Sequence, residues 1–152
     1  KATWNLDSIA DVDRRRMSFI GSTRVKQVRV VSQSAFASLF PGLVPGSNYA
    51  YTYHGHIRVL RAGTYKFCTD SKDGSMIWVD GARVVDNDGV HNVQTRCGTK
   101  ALNTGLHDVF IAGFVKNGDG SLKAYYNGPD TREHDLQVLA SILSCAACCD
   151  AA

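Results

Sequence analysis

Tyr49-Ala50-Tyr51-Thr52-Tyr53-His54-Gly55-His56-Ile57-Arg58-Val59 alternates with a period of two. Tyr49, Tyr51 and Tyr53 share one parity, and beyond Gly55 the same parity continues through Ile57 and Val59. That pattern reads as one long strand with a bend at the glycine. The tyrosine row has two readings, a platform on which sugar rings stack or the lining of a core or subunit contact, and the second is favoured. His54 and His56 alternate on the other face, spaced to pair on a metal, but the sequence shows no third ligand converging with them.

Working downstream, the turn Arg61-Ala62-Gly63 leads into Thr64 to Thr69, where Tyr65 and Phe67 alternate with Lys66 and Cys68. Met76-Ile77-Trp78-Val79, the turn Asp80-Gly81, and Val84-Val85 form a hairpin pattern. Leu106 to Val115 and Ser121 to Tyr126 are two further strands separated by Lys116-Asn117-Gly118-Asp119-Gly120. The first is apolar on both parities, which places it in the middle of the core. Upstream, Val28 and Val30 mark a strand over Thr23 to Val31, and Ser34 to Phe40 reads as a short helical turn stopped by Pro41-Gly42. Residues 1–22 lack clean periodicity and read as a loop with one short turn of helix. Leu136, Leu139, Ile142 and Leu143 fit one face of a short helix, or a last strand if a partner surface demands it.

Composition agrees with this pattern. The chain has 152 residues, 44% hydrophobic and 20% charged, enough for one domain with its own core. Thirteen of the fourteen acidic residues are Asp, against the Glu preference of helical surfaces, and Asp-Gly occurs four times and Asn-Gly twice, as tight turns require. The expected fold is an all-β antiparallel sandwich of jelly-roll type with a short helical or extended C-terminal tail. A net charge of +3 is too small to argue for nucleic acid, and no run approaches the roughly 18 apolar residues of a membrane span. Arg14-Arg15-Arg16 could hold an anion or sugar acid, but reads first as solvated surface. The absence of an initial Met suggests a removed leader or a segment of a longer surface protein.

Five cysteines require two separate accounts. Cys68 and Cys97 close strand-like runs, and a disulfide between neighbouring strands is favoured over two buried thiols, which suits an oxidising, extracellular setting. Cys145, Cys148 and Cys149 leave their pairing open, with one tail bridge and one leftover thiol the simplest arrangement. No second Cys or His pair stands near them to complete a zinc site.

Six separated motifs then come in order: Tyr53-His54-Gly55-His56-Ile57, Ala62-Gly63-Thr64-Tyr65-Lys66-Phe67, Ser71-Lys72-Asp73-Gly74-Ser75-Met76-Ile77-Trp78-Val79-Asp80-Gly81, Val84-Val85-Asp86-Asn87-Asp88-Gly89-Val90-His91, Leu102 with Gly105-Leu106-His107, and Tyr126-Asn127-Gly128-Pro129-Asp130. In this the chain resembles the PA14 domain family. The likeness divides the single domain into a lead-in with opening strands (1–46), the PA14-like core (47–131) and a Cys-containing tail (132–152).

The resemblance implies a secreted or cell-surface β-sandwich that binds carbohydrate or mediates assembly. Some adhesin members hold Ca²⁺ through two consecutive Asp residues joined by a cis peptide. Here the matching pair is Lys72-Asp73, so a cation replaces the first oxygen ligand and repels an ion. The resemblance points to Asp70, Asp73, Asn117 and Asp119 as ligand-binding residues, with Asp73 the metal ligand if calcium binds at all. No cofactor is required on this reading. His91 and His107 match positions that look structural, and Asp86-Asn87-Asp88-Gly89 reads as an Asx-type loop. A glycosidase pair of carboxylates usually includes Glu, and Glu133 lies in a polar run, so no catalysis is expected. The expectation is a non-enzymatic extracellular module of surface adhesion or assembly, such as a subunit of a fibre or appendage associated with glycans. The alternative is a lectin-type module. Its partners would be glycans, copies of itself in a homo-polymer, or both.

Overall fold

The computed structural model describes residues 6–12, 17–131, 134–135 and 139–148, the side chains at 134–135, 139–143 and 146–148 excepted. The strands are β1 (Met17–Val25), β2 (Arg29–Val30), β3 (Tyr49–Val59), β4 (Gly63–Lys72), β5 (Ser75–Val79), β6 (Ala82–Asn87), β7 (Gln94–Leu102), β8 (Gly105–Val115), β9 (Ser121–Asn127), β10 (His134–Asp135) and β11 (Leu139–Cys148). One helix, α1 (Gln33–Leu39), and a 3-10 turn at Ile9–Asp11 complete the described elements. The strands form a six-stranded sheet, β1-β11-β3-β8-β5-β6, and a five-stranded one built on β10-β9-β4-β7 with β2 also on β9. The expected all-β antiparallel sandwich is what forms.

β3 is the axis of the six-stranded sheet. It pairs with β8 over its full length, from Tyr49 opposite Val115 to Val59 opposite Gly105. Its Tyr49, Tyr51, Tyr53, Ile57 and Val59 are all buried, so the tyrosine row lines the core. They meet Val109, Ile111 and Val115 of β8 beside them, and Tyr65, Phe67 and Leu122 from the facing sheet. Phe36 of α1 closes one end, its ring 5.1 Å from Tyr49 and 5.3 Å from Tyr51. α1 is held in place by Ser32, whose Oγ accepts the Ala35 N–H at 3.2 Å, a capping contact that fixes the first turn. Two glycines admit close neighbours, Gly98 between the two sheets and Gly113 within the six-stranded sheet. A Cβ at Gly98 would stand 1.7 Å from the Val84 carbonyl oxygen, and one at Gly113 would stand 2.3 Å from the Tyr51 ring.

Three expectations are refined. The single strand over Thr23 to Val31 is two elements, because the chain leaves the six-stranded sheet at Val25 and joins β9 of the other sheet at Arg29. Val28 and Val30 are buried as their alternation requires; the turn between β1 and β2 carries them from one layer to the other. Residues 17–22, read as loop, open β1, an edge strand whose partly exposed faces give no clear period. The tail takes its extended alternative: β11 inserts between β1 and β3, where a ladder on both sides outweighs the helical spacing of its side chains. Leu136, Glu133 and Arg14-Arg15-Arg16 lie outside the described residues.

Cys68 and Cys97 stand directly opposite on β4 and β7 and form the expected disulfide. Cys145 has a free thiol packed in the core, where burial pushes its pKa up to about 12 and suppresses the reactive thiolate. The Cys148 side chain and Cys149 fall outside the described parts, and with them the expected tail bridge.

Candidate functional site: the Asp73 loop end

β4 runs outward to Lys72 and turns at Asp73-Gly74 into β5, and the Lys72–Asp73 peptide bond is cis. Asp73 is 2% exposed. Its Oδ1 accepts the His91 N–H at 3.1 Å and its Oδ2 accepts the Lys116 N–H at 2.9 Å. Two bonds from backbone donors solvate the buried charge and tie three loops to one carboxylate.

Beneath it lies a buried polar cluster that joins the sheets. Ser71 Oγ donates to the Asp73 carbonyl at 2.8 Å and lies 2.7 Å from Ser75 Oγ. Ser75 Oγ reaches Thr69 Oγ1 at 2.9 Å, and Asn87 Nδ2 donates to Thr69 Oγ1 at 3.1 Å and to the Gln94 carbonyl at 2.8 Å. Gln94 Nε2 returns a bond to Asn87 Oδ1 at 3.0 Å. Thr69 belongs to β4 of one sheet and Ser75 and Asn87 to β5 and β6 of the other, so this cluster sets the position of the Asp73 turn.

The β8–β9 loop arrives from the side. Asn117 and Asp119 adopt φ of 61° and 62°, a region that their short polar side chains tolerate. The Asn117 N–H donates to Asn48 Oδ1 at 2.7 Å and the Asp119 N–H to Gln33 Oε1 at 3.2 Å, which anchors the loop on α1 and the segment before β3. Lys72 Nζ lies 3.5 Å from Asp119 Oδ2, with the Asp119 side chain 83% exposed. The lysine ammonium thus brings positive charge to the place where an added cation would need negative charge.

Of the residues singled out from sequence, Asp73, Asn117 and Asp119 gather at this end of the sandwich. Asp70 stands apart from the buried carboxylate, half-buried on β4 in register with Thr95 of β7 and Lys123 of β9. His91 and His107 brace loops: the His91 ring nitrogens meet the Asn92 and Asn87 carbonyls at 2.8 and 3.0 Å. His107 Nδ1 lies 2.6 Å from Asp80 Oδ2 and its Nε2 2.6 Å from the Asn103 carbonyl. The Asp80 hydrogen bond raises the His107 pKa against its partial burial. Burial pushes Asp80 up, but the His107 bond and the Asp108 N–H outweigh it and hold Asp80 below the usual carboxylate range. The Asp88 N–H donates to Asp86 Oδ1 at 3.2 Å, the Asx geometry expected of that loop.

Sequence reasoning missed the Ser71, Ser75, Asn87 and Gln94 cluster, because each residue alone reads as an ordinary turn or strand polar. It also missed Asp108, which the β3–β8 register sets beside His54 and His56. The Asp108 Oδ1 lies 2.8 Å from His54 Nε2 and 3.7 Å from His56 Nε2.

The profile of the PA14 domain family matches residues 17–138. The search of curated proteins finds no match. Among solved structures, the PA14 domain of the MpAFP antifreeze protein is 20% identical, covers 91% of this chain and 83% of its own, and superposes with a TM-score of 0.69. A PA14 sugar-binding domain from an RTX adhesin is 23% identical over 87% of this chain and 85% of its own, with a TM-score of 0.62. The A domain of epithelial adhesin 6 from Candida glabrata, solved in complex with Galβ1-3GlcNAc, is 10% identical over 81% of this chain and 62% of its own, with a TM-score of 0.52.

Proposed function

The chain belongs to the PA14 domain family, and from that premise we propose that it is a non-catalytic surface-adhesion module that engages carbohydrate at the Asp73 end without calcium. The observation that carries this reading is the Lys72 ammonium 3.5 Å from Asp119 Oδ2, beside a carboxylate already bonded to two backbone N–H groups. Where calcium-holding relatives use an ion to meet sugar hydroxyls, this chain offers a resident cation. An ammonium with three donors and an exposed carboxylate can hydrogen-bond a glycan directly. The RTX adhesin's sugar-binding domain and the Galβ1-3GlcNAc complex of epithelial adhesin 6 support carbohydrate as the partner class. Secretion fits the disulfide Cys68–Cys97. No described helix is long and apolar enough to cross a membrane.

A glycan array probed with and without EDTA tests the proposal. The expected result is binding that survives chelation and falls at least tenfold in Lys72→Ala. Lys72→Asp should make any remaining binding calcium-dependent. Binding that the wild-type protein loses in EDTA, or no glycan binding at all, would sink the reading.

A second reading, a subunit that polymerises with copies of itself into a glycan-associated fibre, draws on a different region. Phe19, 69% exposed on edge strand β1, rims an apolar cavity of about 320 Å³ with Ile9, Val12, Met17 and Ala112. A strand at the end of the sheet beside an apolar hollow is a surface that a second copy could extend. Light scattering separates the two: chelator-insensitive oligomers that Phe19→Asp dissolves support polymerisation, and a clean monomer removes it.

A further inference from the structure

On the outer face of the six-stranded sheet, away from the core and from the Asp73 loop, three donor side chains meet. β3 sends His54 and His56 outward two residues apart, and β8 runs antiparallel beside it with Asp108 directly opposite His56 and Phe110 opposite His54. One carboxylate oxygen is shared between both imidazoles, at 2.8 and 3.7 Å from their Nε2 atoms. The side chains are 61%, 49% and 41% exposed for His54, His56 and Asp108, so the sandwich does not depend on them for its core.

We propose that His54, His56 and Asp108 form a surface site for a divalent transition cation of the zinc class. Two imidazoles and one carboxylate suit Zn²⁺ and its first-row neighbours, whereas Ca²⁺ and Mg²⁺ prefer all-oxygen shells. A tetrahedral ion with bonds near 2.0–2.1 Å holds its donor atoms roughly 3.3–3.4 Å apart, and the two observed separations lie on either side of that value. As they stand, no three His, Cys, Asp or Glu side chains among the described residues are placed to hold a metal ion, so this site forms only when its side chains move. The imidazole centroids are 6.3 Å apart, against about 5 Å for two imidazoles on one tetrahedral ion, so the rings must swing together on binding.

The scaffold permits that adjustment. The backbone at Asp108 is pinned by its N–H bond to Asp80 Oδ1 at 2.9 Å, and the Phe110 ring stands edge-on to His54 at 6.1 Å. The strands stay fixed while the half-exposed side chains rotate. Three protein ligands leave a fourth position facing outward, open to water or to a donor from another molecule. Arg58, exposed two residues beyond His56 on the same strand, adds a like charge that weakens cation binding. The site does not rest on the carbohydrate reading.

The test is a titration of tag-free, EDTA-treated protein with ZnCl₂, followed by NMR of the histidine rings. His54 and His56 should shift together and saturate with one equivalent, while His91 and His107 stay in place and CaCl₂ moves none of them. His54→Ala, His56→Ala and Asp108→Asn should each raise the dissociation constant for this event at least tenfold, with metal-free melting temperatures unchanged. Rings of His54 and His56 that do not move at several equivalents would overturn the site. So would an unchanged dissociation constant in Asp108→Asn, which would leave only two surface histidines holding metal adventitiously.

Discussion

At the Asp73 end a carboxylate is 2% exposed and each oxygen takes a backbone N–H, while on the outer face of β3 and β8 the Asp108 side chain is 41% exposed and one oxygen faces two imidazoles. Both places combine Asp with His and a neighbouring cation. They differ in what holds the carboxylate. At Asp73 the donors belong to the backbone of two other loops, so the charge acts as a brace that positions the half-buried Lys72 and the exposed Asp119. At Asp108 the partners are half-exposed side chains that can turn toward a ligand. Burial with complete hydrogen bonding makes an acid structural, and exposure with movable partners leaves it available.

The sharpest way to break this comparison is Asp73→Ala, which leaves the His91 and Lys116 N–H groups without their acceptor. It should cost about 3 kcal/mol and lower the melting temperature by roughly 10 °C. An unchanged melting temperature would mean that Asp73 is not a brace. Next comes Asn87→Leu, which strands the Gln94 amide and carbonyl in the buried cluster. A loss of about 2 kcal/mol is expected from urea unfolding, with the slope of the transition unchanged.

His107 and Asp80 provide a pH-dependent test between the two extremes. The raised His107 pKa gives stability that is complete below the ordinary histidine value and is lost as pH rises through the raised value. The lowered Asp80 pKa gives stability present above the ordinary carboxylate value and lost as pH falls through the depressed one. The pair therefore contributes most between those limits. His107→Gln should cost about 1 kcal/mol near pH 6 and flatten the alkaline decline in urea midpoints. A decline of the same steepness in the variant would assign it to another group. The smallest effect belongs to metal-free Asp108→Asn, within about 0.5 kcal/mol of wild type by thermal unfolding. A loss as large as that of Asp73→Ala would erase the distinction between brace and open site.

Much of this was legible in the residues. Period two from Tyr49 to Val59 assigned the inward and outward faces of β3 correctly, since alternation is a local property of an extended chain. The Asp-Gly and Asn-Gly turns and the Cys68–Cys97 pair were likewise visible from spacing. The split of Thr23 to Val31 was not, because the three-residue connection Lys26 to Val28 changes layers while Val28 and Val30 keep their alternation. Nor was the extended form of the tail, whose outcome depended on β1 and β3 offering a ladder on both sides. Lys72 stood out in sequence as a cation beside Asp73, but its pairing with Asp119 needed the β8–β9 loop to fold back through Asn48 and Gln33.

Fold class, the faces of the main strands and the family follow from the residues alone, because alternation, turn chemistry and ordered motifs are encoded in neighbouring positions. Which carboxylate is buried as a brace and which meets two histidines depends on the folded sheets. Asp108 lies 54 residues from its His54 partner, and strand register, set by the whole sheet, brings them within 2.8 Å.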